Sequence, residues 1–231
     1  MSRLVIAIDG PAGSGKSTLG AALATHLNYT YFDSGVVYRA FTWLALRRGI
    51  DLHDQTALVH MAQTAQLAVT RPTIRDGRQF TVTIGGEDAT WGIRTPEVDH
   101  HVSAVSAHPA VRLVANQRLR ELATEGGIVM VGRDIGTVVL PDADLKLYLT
   151  ASGEERARRR CKELQARGLD ADYDAILAEM RRRDELDSGR ATAPLRPAAD
   201  AVHLDSDHLT VEAEVQRVLA LLPPEASGAG T

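Results

Sequence analysis

Residues 10–18 read Gly-Pro-Ala-Gly-Ser-Gly-Lys-Ser-Thr and follow the apolar run Leu4-Val5-Ile6-Ala7-Ile8. A strand that enters GxxxxGK[ST] and leaves as a helix has few folds open to it. Glycines let the backbone curl so that successive N–H groups converge on an anion. The helix that follows adds the positive end of its dipole. Lys16 is placed to reach β- and γ-phosphates, and the Ser17 hydroxyl to hold Mg²⁺. The pattern implies a nucleoside triphosphate on the loop formed by Gly10, Pro11, Ala12, Gly13, Ser14, Gly15, Lys16, Ser17 and Thr18. It leaves open what becomes of the phosphate.

The 231 residues suffice for one α/β domain carrying an insertion. Hydrophobic residues make up 44% and charged residues 24%, the balance of a globular protein with a core. The formal net charge of −4 argues against a surface that tracks nucleic acid. No apolar stretch approaches 18 residues, so no membrane span is expected. Cys161 is the single cysteine and has no partner for an internal disulfide, which fits a cytoplasmic location. Nothing in the pattern demands a second copy, and a monomer is expected.

Helices are predicted over 17–27, 36–48, 54–66, 96–125 with a break at Pro109, 153–166, 172–186 and 210–222. Strands are predicted at 4–8, 29–32, 128–131, 145–149 and 201–204. The texture changes between them. Leu67 to Thr70 reads as a strand, Asp76-Gly77 as a turn, and Phe80, Val82 and Ile84 alternate with threonines as a half-buried strand does. A small antiparallel insertion over about 66–95 follows. The fold class is therefore α/β: a P-loop, doubly wound, parallel five-stranded sheet with an antiparallel β insertion and an Arg-rich helical lid. The core takes 1–65, 96–152 and 191–222, the lid 153–190, and 223–231 is a disordered tail. In such sheets ligands sit at the carboxyl ends of the strands.

Two further strand ends carry ligand-binding chemistry. Asp33-Ser34-Gly35-Val36-Val37-Tyr38-Arg39 follows one, and Gly132-Arg133-Asp134-Ile135-Gly136-Thr137 another. A guanidinium grips phosphate through its planar fork, so Arg39 and Arg133 are candidates for a second phosphate. Asp134 can accept from an amino group or hydroxyl. Nine arginines fall between Arg156 and Arg190. Some belong to a solvated helix face with i,i+4 pairs. An arginine brought over a transferring phosphoryl group by a mobile lid is the functional reading of the rest. A GTPase switch would need an Asn-Lys-x-Asp segment, and the chain has none. Other small P-loop kinases, with different acceptors, stay open on these residues alone.

The combination of IDGPAGSGKST, YFDSGVVYRA, GIRTPEV, GRDIGTVVLPDADLKLYL, EERARRR and RRRDELDSGRATAPLRPAADA, spread over residues 4–218, resembles the bacterial cytidylate kinases. The P-loop alone is unspecific; the GRDIGT block together with the DSGVVYR segment is characteristic. The resemblance implies ATP-dependent phosphorylation of CMP and dCMP, with Mg²⁺ accompanying ATP. It implies a CMP site of Ser34, Arg39, Ser103, Arg112, Arg133, Asp134, Arg183, Asp187 and Arg190. Ser103, Arg112 and Asp134 would face cytosine, Arg183 and Asp187 the sugar, and Arg39, Arg133 and Arg190 the α-phosphate. Lys16, Arg156, Arg160 and Arg190 would act on the transferring group, Arg156 and Arg160 from the lid.

Overall fold

The computed structural model describes residues 3–70, 72–166 and 168–223. The expected disordered tail lies outside the described residues from 224 onward. Two compact units emerge. One comprises the residues up to Asp33 and those from Leu122; the other runs from Ser34 to Glu121.

The first unit is built on five parallel strands: β1 (Val5–Asp9), β2 (Thr30–Asp33), β6 (Ile128–Gly132), β7 (Leu145–Thr150) and β8 (Val202–Asp205). Their order is β2-β6-β1-β7-β8, with β1 in the centre. Register aligns Asp9 with Gly132 on one side and with Tyr148 on the other. The apolar runs at 4–8 and 128–131 are continuous because both faces of these strands are covered. Helix α1 (Lys16–Leu27) lays Leu19 and Leu23 against Ile6, Ile8, Val129 and Val131, and α8 (Val211–Leu219) adds Val215 and Val218. Each such fully buried side chain contributes roughly 1.5–3 kcal/mol. Helix α6 (Gly153–Ala166) packs on α7 (Tyr173–Ser188), forming the Arg-rich pair.

The second unit holds α2 (Gly35–Arg47), α3 (Gln55–Thr64), α4 (Pro96–Ala107), most of α5 (Pro109–Ala123), and an antiparallel sheet of β3 (Leu67–Thr70), β4 (Thr81–Ile84) and β5 (Glu87–Asp88). The predicted insertion thus exists as a three-stranded sheet, with helices before and after it in the same unit. Asp54 caps α3 by accepting from the Ala57 N–H, and Thr95 caps α4, whose first residue is Pro96. The expected break at Pro109 separates α4 from α5. Phe41, Leu58, Met61, Ile93 and Leu119 form the buried interior of this unit.

Candidate active site

The P-loop connects the carboxyl end of β1 to α1. Gly10, Gly13 and Gly15 all have positive φ, at 151°, 77° and 94°. At Gly10 a Cβ would come within 2.0 Å of the Leu149 carbonyl oxygen, so no side chain fits there. Gly15 occupies the N-cap position in a left-handed conformation, with no side chain turned back onto the helix amides. The first turn of α1 carries no acidic residue either. An anion there meets the helix dipole without competition.

Lys16 is buried, and its Nζ donates to the Pro11 carbonyl oxygen at 2.6 Å and to Ser14 Oγ at 3.4 Å. Burial holds its ammonium well below the usual lysine range, and the neighbouring Arg133 charge adds to this. A dianionic phosphate nearby would restore the charged form. Ser17 and Thr18 are exposed at the start of α1.

The carboxyl end of β6 leads into Gly132-Arg133-Asp134 and then a wide turn over Ile135–Val139, closed by the Leu140 N–H on the Ile135 carbonyl at 2.7 Å. Arg133 Nη1 donates to the Gly10 carbonyl oxygen at 3.0 Å, and its Nε to Asp187 Oδ2 at 2.9 Å. Arg190 Nη2 reaches Asp187 Oδ1 at 2.5 Å. Burial raises the Asp187 carboxyl, and the two guanidinium groups more than offset that, leaving it below the ordinary carboxylate range. Arg133, Asp187 and Arg190 therefore form one cluster beside the P-loop. Asp134 is buried, and Arg183 lies close enough to Asp187 and Lys16 to act on both electrostatically.

Of the Arg-rich pair, Arg156 is buried. It donates from Nη1 to the Ala12 carbonyl at 3.1 Å and grips Asp184 of α7 with both terminal nitrogens, at 3.2 and 2.6 Å. Such a fork ties α6 to α7 and to the P-loop. Arg160 instead pairs with Glu163 of its own helix at 2.8 Å, on an exposed face.

In the second unit, Ser34 is buried at the N-cap of α2. Arg39 on α2 pairs with Asp99 on α4 at 2.5 Å, and donates to the Ile93 carbonyl at 3.4 Å. Arg112 on α5 is buried, stacks its guanidinium 5.3 Å from the Tyr38 ring centroid, and donates to the Ser106 carbonyl at 3.3 Å. Ser103 lies one turn before Ser106, whose hydroxyl donates to the Ser103 carbonyl at 3.2 Å. Three helices thus supply Arg39, Ser103 and Arg112, linked through Asp99, Tyr38 and Ser106.

A family model for cytidylate kinase matches residues 6–223. The chain belongs to the cytidylate kinase family. It is a phosphotransferase that phosphorylates CMP and dCMP, as the family does. It is 49% identical over 221 residues to a cytidylate kinase of Herpetosiphon aurantiacus, covering 96% of this chain and 95% of that one. It is 51% identical over 214 residues to a cytidylate kinase of Chloroflexus aggregans, covering 93% and 91%. A solved structure from Eubacterium ventriosum aligns over 95% of this chain and 98% of its own with a TM-score of 0.50 at 13% identity, a likeness of fold alone.

Several residues of this cytidylate kinase site carry no signal in the sequence reading. Asp9 accepts from the Ile135 and Gly136 N–H groups, each at 2.7 Å. Ser206 is fully buried; its hydroxyl donates toward the Ser14 carbonyl at 3.0 Å and accepts from Arg159 Nη1 at 3.0 Å. Asp184 and Asp99 hold the two arginines described above. Their partners are backbone groups or residues far along the chain, which no local pattern reveals. Among the described residues, no helix is long and apolar enough to cross a membrane.

Proposed function

We propose that ATP is the phosphoryl donor, held on the P-loop from Gly10 to Thr18, and that CMP or dCMP is the acceptor. The observation that carries this reading is the Arg133–Asp187–Arg190 cluster. A guanidinium bonded both to the P-loop carbonyl of Gly10 and to Asp187 links donor and acceptor chemistry.

Arg39, Arg133 and Arg190 bind the acceptor α-phosphate. Arg183 and Asp187 take the sugar, while Ser34, Ser103, Arg112 and Asp134 serve the nucleotide and its base. The acceptor phosphate is already an oxyanion, so no protein base is needed. Phosphoryl transfer then depends on position and charge. Lys16 and the loop amides stabilise the β- and γ-phosphate charge, and Arg156, Arg160 and Arg190 that of the transferring group. The residues present fit Mg²⁺: Ser17 offers an exposed hard oxygen next to Lys16, and this ion takes most of its ligands from phosphates and water. When bound with ATP, it would screen phosphate charge. Excluding water from the transferring group is the work of the helices over 153–190, acting as a lid. The substrates are small molecules; a cytoplasmic monomer completes the reading. A coupled assay of ADP release over CMP, dCMP, UMP, AMP and shikimate tests it: turnover should be highest with CMP or dCMP, and a preference for another acceptor overturns it.

A further inference from the structure

Asp9 is the last residue of β1 and is 3% exposed. It touches no nucleotide in the assignments above, yet both its oxygens are engaged. Oδ1 accepts from the Ile135 N–H and Oδ2 from the Gly136 N–H, each at 2.7 Å. These two amides open the wide turn directly after Arg133 and Asp134. The seat is tight. A Cβ on Gly136 would lie 3.4 Å from Asp9 Oδ2 and 3.2 Å from Lys146 Cδ. From the other direction, Arg133 returns to the P-loop by donating to the Gly10 carbonyl, the residue after Asp9. A closed circuit runs from Asp9 through the turn to Arg133 and back to Gly10.

We infer that Asp9 is a positioning residue that fixes Arg133 and Asp134 relative to the phosphate loop, and so sets how well the enzyme uses its acceptor. The inference rests on the assignment of Arg133 and Asp134 to CMP. Two charge-assisted bonds from one rigid strand end are the means. A two-oxygen acceptor is required, because two parallel N–H groups must both be satisfied in a buried place. The charged and titratable groups around it are Lys16, Lys146, Arg133, Asp134 and Tyr148. Burial raises the Asp9 carboxyl to about 6, while the two amides and Lys16 pull it down and Asp134 pushes it up. At pH 8 it is ionised and accepts twice.

Asp9→Asn keeps the shape but turns one acceptor into a donor facing an N–H. Measured at pH 8, kcat/KM for CMP should fall by about 10–100-fold, the scale of a displaced positioning group. KM for ATP should stay within about threefold of the wild type. The melting temperature should fall, since one buried N–H loses its acceptor, so the split between the two substrates is the readout that tests positioning. A structural role alone predicts instead that both substrates are affected in parallel. Arg133→Ala, run alongside, separates the two layers. If it leaves KM for CMP unchanged, the CMP assignment fails. If it raises that KM while Asp9→Asn leaves kcat/KM for CMP unchanged, the positioning role of Asp9 fails. A second measurement needs no variant: the Ile135 and Gly136 amides of the wild type should exchange as slowly as those at the centre of β6. Rapid exchange at both would overturn the inference.

Discussion

Lys16 Nζ lies 2.6 Å from the Pro11 carbonyl oxygen, so the lysine bonds to its own loop five residues back. A phosphate arriving at the loop amides offers it a stronger, charged acceptor. Lys16→Ala should fold, because α1 is held by Leu19 and Leu23 in the core. It should lose about 10²–10³-fold in kcat, the usual cost of removing one charge-stabilising donor. Turnover near that of the wild type in a folded variant would refute the phosphate role.

Arg39→Ala should raise KM for CMP by about tenfold to a hundredfold, as expected for a lost hydrogen bond between charged groups. KM for ATP should barely move. Steady-state kinetics with each substrate varied in turn decide it. A change confined to ATP would place Arg39 on the other nucleotide.

Base choice should depend on Asp134, which is buried and suited to accept from the cytosine amino group. Uracil presents a carbonyl there, like polarity against like. The specificity constant for CMP should exceed that for UMP by at least about tenfold, and Asp134→Ala should narrow the ratio. Equal use of UMP by the wild type would remove the basis for this role.

Glu214 gives a pH prediction with a definite sign. Burial raises its carboxyl to about 7, against the pull of Arg159. A folded value above the unfolded one means its favourable contribution is complete below about 4.5 and is lost as pH rises through about 7. Glu214→Gln should melt several degrees higher than the wild type at pH 8.5 and alike at pH 4.5. Thermal melts at the two values check this, and an equal difference at both would rule it out.

Residues 153–190 should become protected when both nucleotide sites are filled. Helix α6 carries Arg156 and Arg160 and packs on α7, and a bisubstrate mimic joining adenosine and cytidine through phosphates should slow amide exchange in both. Unchanged exchange would mean a static Arg-rich surface.

Much of the fold was legible because its signals are local. The runs at 4–8 and 128–131 are apolar throughout, as doubly covered strands must be. The alternation of Phe80, Val82 and Ile84 marks β4. The two-residue strand Glu87–Asp88 was not legible, since two exposed acidic residues carry no strand pattern. The wide turn at Ile135–Val139 was also missed, because its closure is a backbone bond rather than a choice of side chain. At the site, Gly10 to Thr18 announce themselves by spacing. Asp9 does not: an aspartate at a strand end looks like any cap until Ile135 and Gly136 are seen against it. Ser206 is equally mute, one small polar residue whose meaning lies in Ser14 and Arg159.

The strand order has a consequence for how the chain is made. β1 leaves the ribosome well before its neighbours in the sheet, β6 and β7, which begin at Ile128 and Leu145. At about 5–20 residues per second, the wait is on the order of ten seconds. Throughout it, Ile6 and Ile8 have no sheet to enter, and the segment from Ser34 to Glu121 is complete before the strand that carries the phosphate loop has a single partner. In a nascent chain, the phosphate loop has to wait for strands far downstream before the sheet that positions it can form.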